Sequence, residues 1–426
     1  MTDNRMENLE HLIYDWNVDG EKPARPSQRK IEFDDETLRD GLQSPSVTSP
    51  SLDEKLRIIH FMHAIGIDNA DIGLPGAGPH VVETVERIAR EIVEQKLSVY
   101  PSAAGRTHEN DIKPIIEISE RVGIPIEADL FIGSSAIRQF AEEWEFDWIV
   151  QQSATAVKFA VDHGIPVMYV TEDTTRAKPE HIERLYTVAM ENGATRICVT
   201  DTVGHATPWG ARNLIRFVRQ LVDRVNPSVK VDWHGHQDRG LGVINSIAAL
   251  EAGADRVHGS AGGIGERVGN TPMDILMVNL KLMGWIDNDL TRLGHYVKFV
   301  ADAVHIPLPD QYPVFGRDAF RTGTGVHAAA IIKAKKKGSE WLADRVYSGV
   351  PAGMFGLEQI IEVGPMCGLS NVVYWLASHG YPQEESLTKE LFALAKSTNR
   401  VLTDDELHSS ARRWQEKQLK VLSAEC

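Results

Sequence analysis

The sequence predicts an α/β fold, a (β/α)8 barrel followed by a smaller, mainly helical C-terminal region. Three observations carry that expectation. Short apolar or β-branched runs recur between residues 31 and 259, each followed by a segment with helical spacing. Eight such runs fit into about 230 residues, the size and count of a barrel in which a helix follows every parallel strand. Beyond Gly284 the alternation stops and helical patterns continue without strands between them. An open doubly wound sheet shares the alternation, and strand count does not separate the two.

Residues 1–30 read as a polar N-terminal extension with Pro23 and Pro26, in which the LIYDW run can dock as a short helix. Strands are expected at 31–33, 70–74, 97–100, 126–131, 167–171, 196–200, 229–233 and 256–259. Ser51 is placed to cap a helix whose Leu56, Ile59 and Met62 share one face, and Gly66 is placed to end it. Segments 182–192 and 209–225 read likewise, so the barrel is expected over 31–284. The region 285–426 holds a Gly-rich loop, a basic helix at 327–337 and an apolar helix among Gly and Pro turns within 349–381. A charged helical pattern over 388–422 suits packing or oligomer formation, and a homodimer is the expected assembly.

Composition narrows the function classes. The 426 residues are 42% hydrophobic and 25% charged, as in ordinary globular proteins. A net charge of -15 argues against nucleic acid or an anionic membrane as partner, while leaving room for a local basic patch. Cys198, Cys367 and Cys426 are widely spaced with no CxxC, which suggests a reducing compartment and no disulfide framework. No run is long and apolar enough to span a bilayer, and residues 1–10 lack the apolar core of a signal peptide. The cytoplasm is the expected location.

The chemistry concentrates at strand ends. His234 and His236 end the seventh strand with Gly235 between them, and residues two apart in extended chain face the same way. Both imidazoles can therefore reach one metal ion, although such pairs are also ordinary polar strand ends. Arg39 and Asp40 follow the first strand in DDETLRDGLQSP. Asp40 can supply a third ligand and leave open positions for a substrate, as in catalytic two-His, one-carboxylate sites; an RDG turn with a solvated ion pair is the alternative. Glu172 and Asp173 follow the fifth strand, and Asp201 and Thr202 the sixth, as acid–base groups or as helix caps. GGIGERVGN follows the eighth strand without the spacing of a dinucleotide fingerprint. There Glu266 and Arg267 pair with each other or brace the ligand loops, and Asn270 can offer its amide oxygen to a metal or a ligand.

FDDETLRDG, HGHQDRGLGVINS and GGIGERVGN resemble the three motifs of the metal-dependent acyl-CoA lyase and synthase barrels, the group of 2-isopropylmalate, homocitrate and citramalate synthases. The likeness spans residues 31–360 or so. It implies a TIM barrel, a divalent metal (Zn, Mn or Mg), and Claisen condensation of acetyl-CoA with a small 2-oxo acid. By that match Asp40, His234 and His236 bind the metal with Asn270 on or beside it, Arg39 polarises the keto oxygen, and Glu172 completes the acid–base set. GTGVHAAAI resembles the synthase segment whose histidine acts on acetyl-CoA, which maps to His327, and Tyr347 falls where the synthases carry a catalytic tyrosine. Lyases of the group generally lack this appended region.

Departures fall where the 2-oxo acid side chain is expected to sit. Homocitrate enzymes carry arginine four residues before the glutamate, where this chain has Met168. Isopropylmalate enzymes tend to have serine two residues before it and asparagine near Cys198, where this chain has Val170 and Cys198. Asp129 stands where many have histidine, and Gln237 and Arg239 replace the more usual residues after the second His. Asp129, Met168, Val170, Cys198 and Thr202 are thus the expected substrate contacts. They offer no cation for a distal carboxylate, so an isopropylmalate-type or citramalate-type reaction is expected ahead of a homocitrate or Re-citrate one. A carbon–carbon lyase or aldolase on the same barrel is the other class. The chain ends at Cys426, short of the regulatory domain of many isopropylmalate synthases, so leucine feedback of that type is not expected.

Overall fold

The computed structural model describes residues 9–18 and 29–424, in two units. One lies within Gly20–Leu308, the other within Pro309–Cys426 together with the N-terminal residues. In the first, eight parallel strands form a closed barrel: β1 (Glu32–Asp35), β2 (Asn69–Asp71), β3 (Tyr100–Arg106), β4 (Glu127–Gly133), β5 (Val167–Glu172), β6 (Arg196–Asp201), β7 (Lys230–Gly235) and β8 (Arg256–Gly259). Pairing of Glu32 with Arg256 through Asp35 with Gly259 closes the ring and removes the doubly wound alternative.

β3 departs most from expectation, running from Tyr100 to Arg106 rather than over 97–100. Its PSAAG core has low strand propensity, and pairing with β4 from Ser102–Glu127 to Arg106–Phe131 overrides it. The helix Leu52–Ile65 follows the sequence closely. Ser51 accepts from Glu54 N–H in a capping box, and Gly66 takes the left-handed conformation (φ +80°) that ends it. Its buried face runs through Ile58, Ile59, Met62 and Ile65, with Leu56 at the edge.

Odd-numbered strand residues such as Phe33, Ile197, Val199, Val231, Trp233 and Val257 pack outward and are fully buried. Each contributes on the order of 1.5–3 kcal/mol of apolar burial. Barrels of this kind usually fill the inside with Val, Ile and Leu. Here the inward-facing residues, even-numbered on β1 and β5–β8 but odd-numbered on β4, build an ionic network instead. Arg196 donates to Asp232 at 2.8 Å and contacts Glu32, while Arg256 donates to Asp232 at 2.5 Å and Glu127 at 2.7 Å. Burial raises the Asp232 pKa, but Arg196 and Arg256 outweigh it and hold the carboxyl well below its usual range. The helix Leu293–Ala303 belongs to this unit: Tyr296 Oη donates to Asp35 at 2.6 Å, and Phe299 packs on Phe61.

The second unit is mainly helical. Arg321–Thr322 and Ile360–Ile361 pair as a short parallel ribbon. The basic helix runs Gly325–Lys336, and the apolar one Leu369–Ser378. The expected charged stretch divides into Glu385–Lys396 and Asp404–Ala424, because Thr403 and Glu406 form a new reciprocal cap. Val372, Trp375, Leu376, Leu387, Leu391 and Leu407 form its core. The LIYDW run makes no α-helix: two 3-10 turns, Glu10–Leu12 and Trp16–Val18, bracket it, and Tyr14 and Trp16 are exposed. With few neighbours to bury against, so short an apolar run lacks the packing a helix needs. No described helix is long and apolar enough to cross a membrane.

Candidate active site

A cavity opens at the C-terminal ends of the barrel strands. Of the eleven barrel residues expected, by the resemblance and its departures, to bind metal, act in catalysis or contact substrate, ten line it: Arg39, Asp40, Asp129, Met168, Val170, Glu172, Cys198, Thr202, His234 and His236. The eleventh, Asn270, is buried beside it, with its backbone bridged to that of His236.

Asp40, His234 and His236 form a buried group whose ligand atoms lie within 4.8 Å of one another. The Nε2 atoms of both histidines face Asp40 Oδ2, each at 3.6 Å. His234 Nδ1 lies 2.6 Å from Glu36 Oε1, so the ring donates there and keeps its Nε2 lone pair toward Asp40. Burial outweighs the pull of Asp40 and lowers the His234 pKa to about 4, which leaves the ring neutral. Asn270 Oδ1 is buried with no hydrogen-bond partner, while its Nδ2 donates to Ile264 O at 3.1 Å. Two neutral-capable imidazoles, one carboxylate and an unsatisfied amide oxygen are a donor set that fits a divalent ion. The GGIGERVGN loop shapes this corner through its backbone. Gly265 has φ +156°, and a Cβ there would stand 2.3 Å from Asn270 Nδ2.

Glu36 was not anticipated, and it is the hub of the site. Its carboxylate accepts from His234 Nδ1, from His258 Nδ1 at 2.7 Å and from Arg39. Arg39 also donates to Asp71 Oδ2 at 2.6 Å and lies 3.4 Å from Asp40. Burial works against the Arg39 charge, but Asp71 and Asp40 outweigh it and raise its pKa above the usual arginine value. The only sequence signal for Glu36 is its even-numbered position in β1's inward series. Glu36→Gln keeps the shape but removes the anionic acceptor. It is expected to weaken metal binding by about 10–100-fold, the range for carboxylates behind ligating histidines, as read by competition with a chromophoric chelator.

Asp129, Met168, Val170 and Cys198 sit on β4, β5 and β6 as neighbours in register, Asp129 opposite Met168 and Val170 opposite Cys198. Burial, assisted by Asp232, pushes the Cys198 thiol well up, so it stays protonated. Burial also raises the Glu172 pKa, against Arg138 and Arg39. The arginines lining the cavity are already engaged: Arg39 as above, and Arg267 with Asp238 at 2.8 Å and Thr202 O at 2.6 Å. Of the two readings of Glu266 and Arg267, the bracing one thus holds for Arg267. Asp173 pairs with Arg176 and Asp201 accepts from His205 and Ala206 N–H, so both work as loop braces. In the second unit, the His327 and Tyr347 rings stack at 4.1 Å and 27°. His327 is exposed, and Tyr347 is 48% exposed.

Comparison with known proteins gives a consistent pattern. The HMGL-like family model matches residues 30–300. Homocitrate synthase AksA of Methanopyrus kandleri is 30% identical over 402 residues, 91% of this chain and 95% of its own. Homocitrate synthase of Pyrococcus horikoshii is 31% identical, covering 89% and 98%, and 2-isopropylmalate synthase of Pyrococcus furiosus is 32% identical, covering 72% and 61%. Among solved structures, the HMG-CoA lyase of Bacillus subtilis superposes with a TM-score of 0.56 at 20% identity, over 67% of this chain and 97% of that one. That likeness is one of barrel fold.

Proposed function

The chain belongs to the HMGL-like family, and from that premise we propose that it condenses acetyl-CoA with a 2-oxo acid to give a 2-alkylmalate. An isopropylmalate synthase-like reaction leads, with pyruvate, the citramalate case, close behind. One observation carries this reading: Asp40, His234, His236, Arg39 and Glu172 converge on a single cavity. The chain is also about 30% identical, over most of its length, to synthases of this type.

In this reading Asp40, His234 and His236 hold a divalent ion, with Asn270 at its side. Such an ion supplies Lewis-acid polarisation of a keto group. The Arg39 guanidinium, held by Glu36 and Asp71, donates to the keto oxygen and stabilises the negative charge that grows there on attack. His327 takes a methyl proton from acetyl-CoA, so that the enolate carbon attacks the keto carbon. Glu172, whose carboxyl pKa is raised by burial above the usual carboxylate value, and Tyr347 serve the proton transfers that follow. Hydrolysis of the thioester then releases free thiol.

Side-chain selection follows from the β4–β6 wall. A terminal carboxylate there would meet Met168, Val170 and Cys198, with no free cation among the described residues of the lining, and Asp129 beside them. Arg106 and Arg138 are not among the cavity-lining residues; Arg106 pairs with Asp111 at 2.7 Å and Arg138 with Glu142 at 3.0 Å. Discrimination against 2-oxoglutarate is therefore expected to exceed about 2 kcal/mol, roughly thirtyfold in kcat/KM. Thiol-release kinetics with pyruvate, 2-oxoisovalerate, oxaloacetate and 2-oxoglutarate, under one metal condition, test it. A dicarboxylate as best substrate overturns the assignment of this wall.

A further inference from the structure

One group in the cavity is left without work by the account above. Asp129 is 4% exposed, lines the cavity, and has no hydrogen-bond partner at either carboxyl oxygen. Its neighbours are already committed. Asp71 accepts from Arg39 and Gly73 N–H, Glu127 accepts from Arg256, and Asp34 lies 3.5 Å from Arg256. Arg256 also donates to Met168 Sδ at 3.0 Å, next to Asp129 in register, and reaches no oxygen of Asp129. The register neighbours of Asp129 are apolar: Ala104 flanks it on β3, and Met168 flanks it on β5. Asp129 is thus the buried carboxyl lining the cavity that has no hydrogen-bond partner among the described residues; Asp34 also lacks one but lies outside the lining, 3.5 Å from Arg256.

A buried polar group without a partner is destabilising, so its persistence at a ligand cavity calls for a partner brought by the ligand. A carboxylate terminus is repelled by this acid-rich corner, and an alkyl terminus would seal Asp129 from water with nothing to bond. We propose that the 2-oxo acid carries an uncharged hydrogen-bonding group on its side chain, a hydroxyl being the simplest, and that Asp129 is the residue that selects it. This rests on the reading of the cavity as the 2-oxo acid site and departs from it in one respect: a hydroxyl replaces part of the apolar side chain that 2-oxoisovalerate or pyruvate would bring. Burial, with Asp71, Glu127 and Asp34 adding to it, pushes the Asp129 pKa well above the usual carboxylate range. A carboxyl accepts from a hydroxyl in either protonation state, and when protonated it also donates to one.

The test compares 2-oxopentanoate with 4-hydroxy-2-oxobutanoate, in which a terminal hydroxyl replaces the methyl, on the metal-loaded full chain. Thiol release from acetyl-CoA gives kcat/KM, and calorimetry of each acid without acetyl-CoA gives affinity. The hydroxy acid is expected to be preferred by at least about tenfold in both, with the difference mainly in KM. Asp129→Leu, or Asp129→Ala if the leucine variant does not fold, is expected to abolish or reverse that preference. Asp129→Asn, which still donates and accepts, keeps most of it. A wild-type preference for 2-oxopentanoate, or an unchanged ratio in the apolar variants, overturns the proposal. Failure of every 2-oxo acid to release thiol sinks the condensation reading instead. In that case the calorimetric pair still decides the role of Asp129: a preference lost in the leucine variant supports it, and equal affinities in the wild type overturn it.

Discussion

Replacing His234 and His236 together by alanine is expected to strip the bound metal and to lower thiol release at least about a thousandfold, the scale of several kcal/mol of lost carbonyl polarisation. The two rings supply two of the three ligand atoms clustered at Asp40, and an open site has little margin below three protein ligands. Asp40→Ala is expected to lower metal content and activity together. It also leaves Arg39 short of a buried counter-charge, so circular dichroism and a melting curve must accompany it. Metal analysis of the purified variants reads the outcome. Stoichiometric metal in the double variant would place the site away from both buried ligand groups of the described residues, since each of them contains His234.

His327→Ala is expected to reduce thiol release by about 10²–10⁴-fold while leaving metal content unchanged, the usual range for loss of a general base. The imidazole is exposed on the second unit and stacked on Tyr347, so its removal leaves no cavity in a core. Unchanged melting and metal content would separate a lost proton acceptor from a damaged fold. A variant with near-normal turnover would instead favour carbon–carbon cleavage on the barrel alone, without an appended acyl-CoA-handling histidine.

Much of this was legible in the sequence because period-two alternation and strand-end position are local properties. Asp40, His234 and His236 could be grouped from two strand ends, and Ser51 and Gly66 bounded a helix by capping chemistry alone. What escaped was non-local. Nothing in YPSAAGR announces a strand, since its pairing partner lies on β4. The ionic interior escaped for the same reason. Arg196, Asp232 and Arg256 look like isolated charges inside apolar runs until closure of the barrel brings them together. Glu36 belongs to this class, because its role depends on His234 and His258 arriving from β7 and β8. The broken C-terminal helix was a different miss: the Thr403–Glu406 cap sits inside a stretch whose charge pattern is continuous.

Condensation at a metal-bearing cavity makes one measurement decisive. Free thiol is followed with purified protein, acetyl-CoA and 2-oxoisovalerate or pyruvate, before and after chelation and metal restoration. The account predicts release that requires the 2-oxo acid, disappears with the chelator and returns with a divalent ion, accompanied by a 2-alkylmalate product. Thiol release that ignores the 2-oxo acid, or persists in the metal-stripped protein, would contradict it.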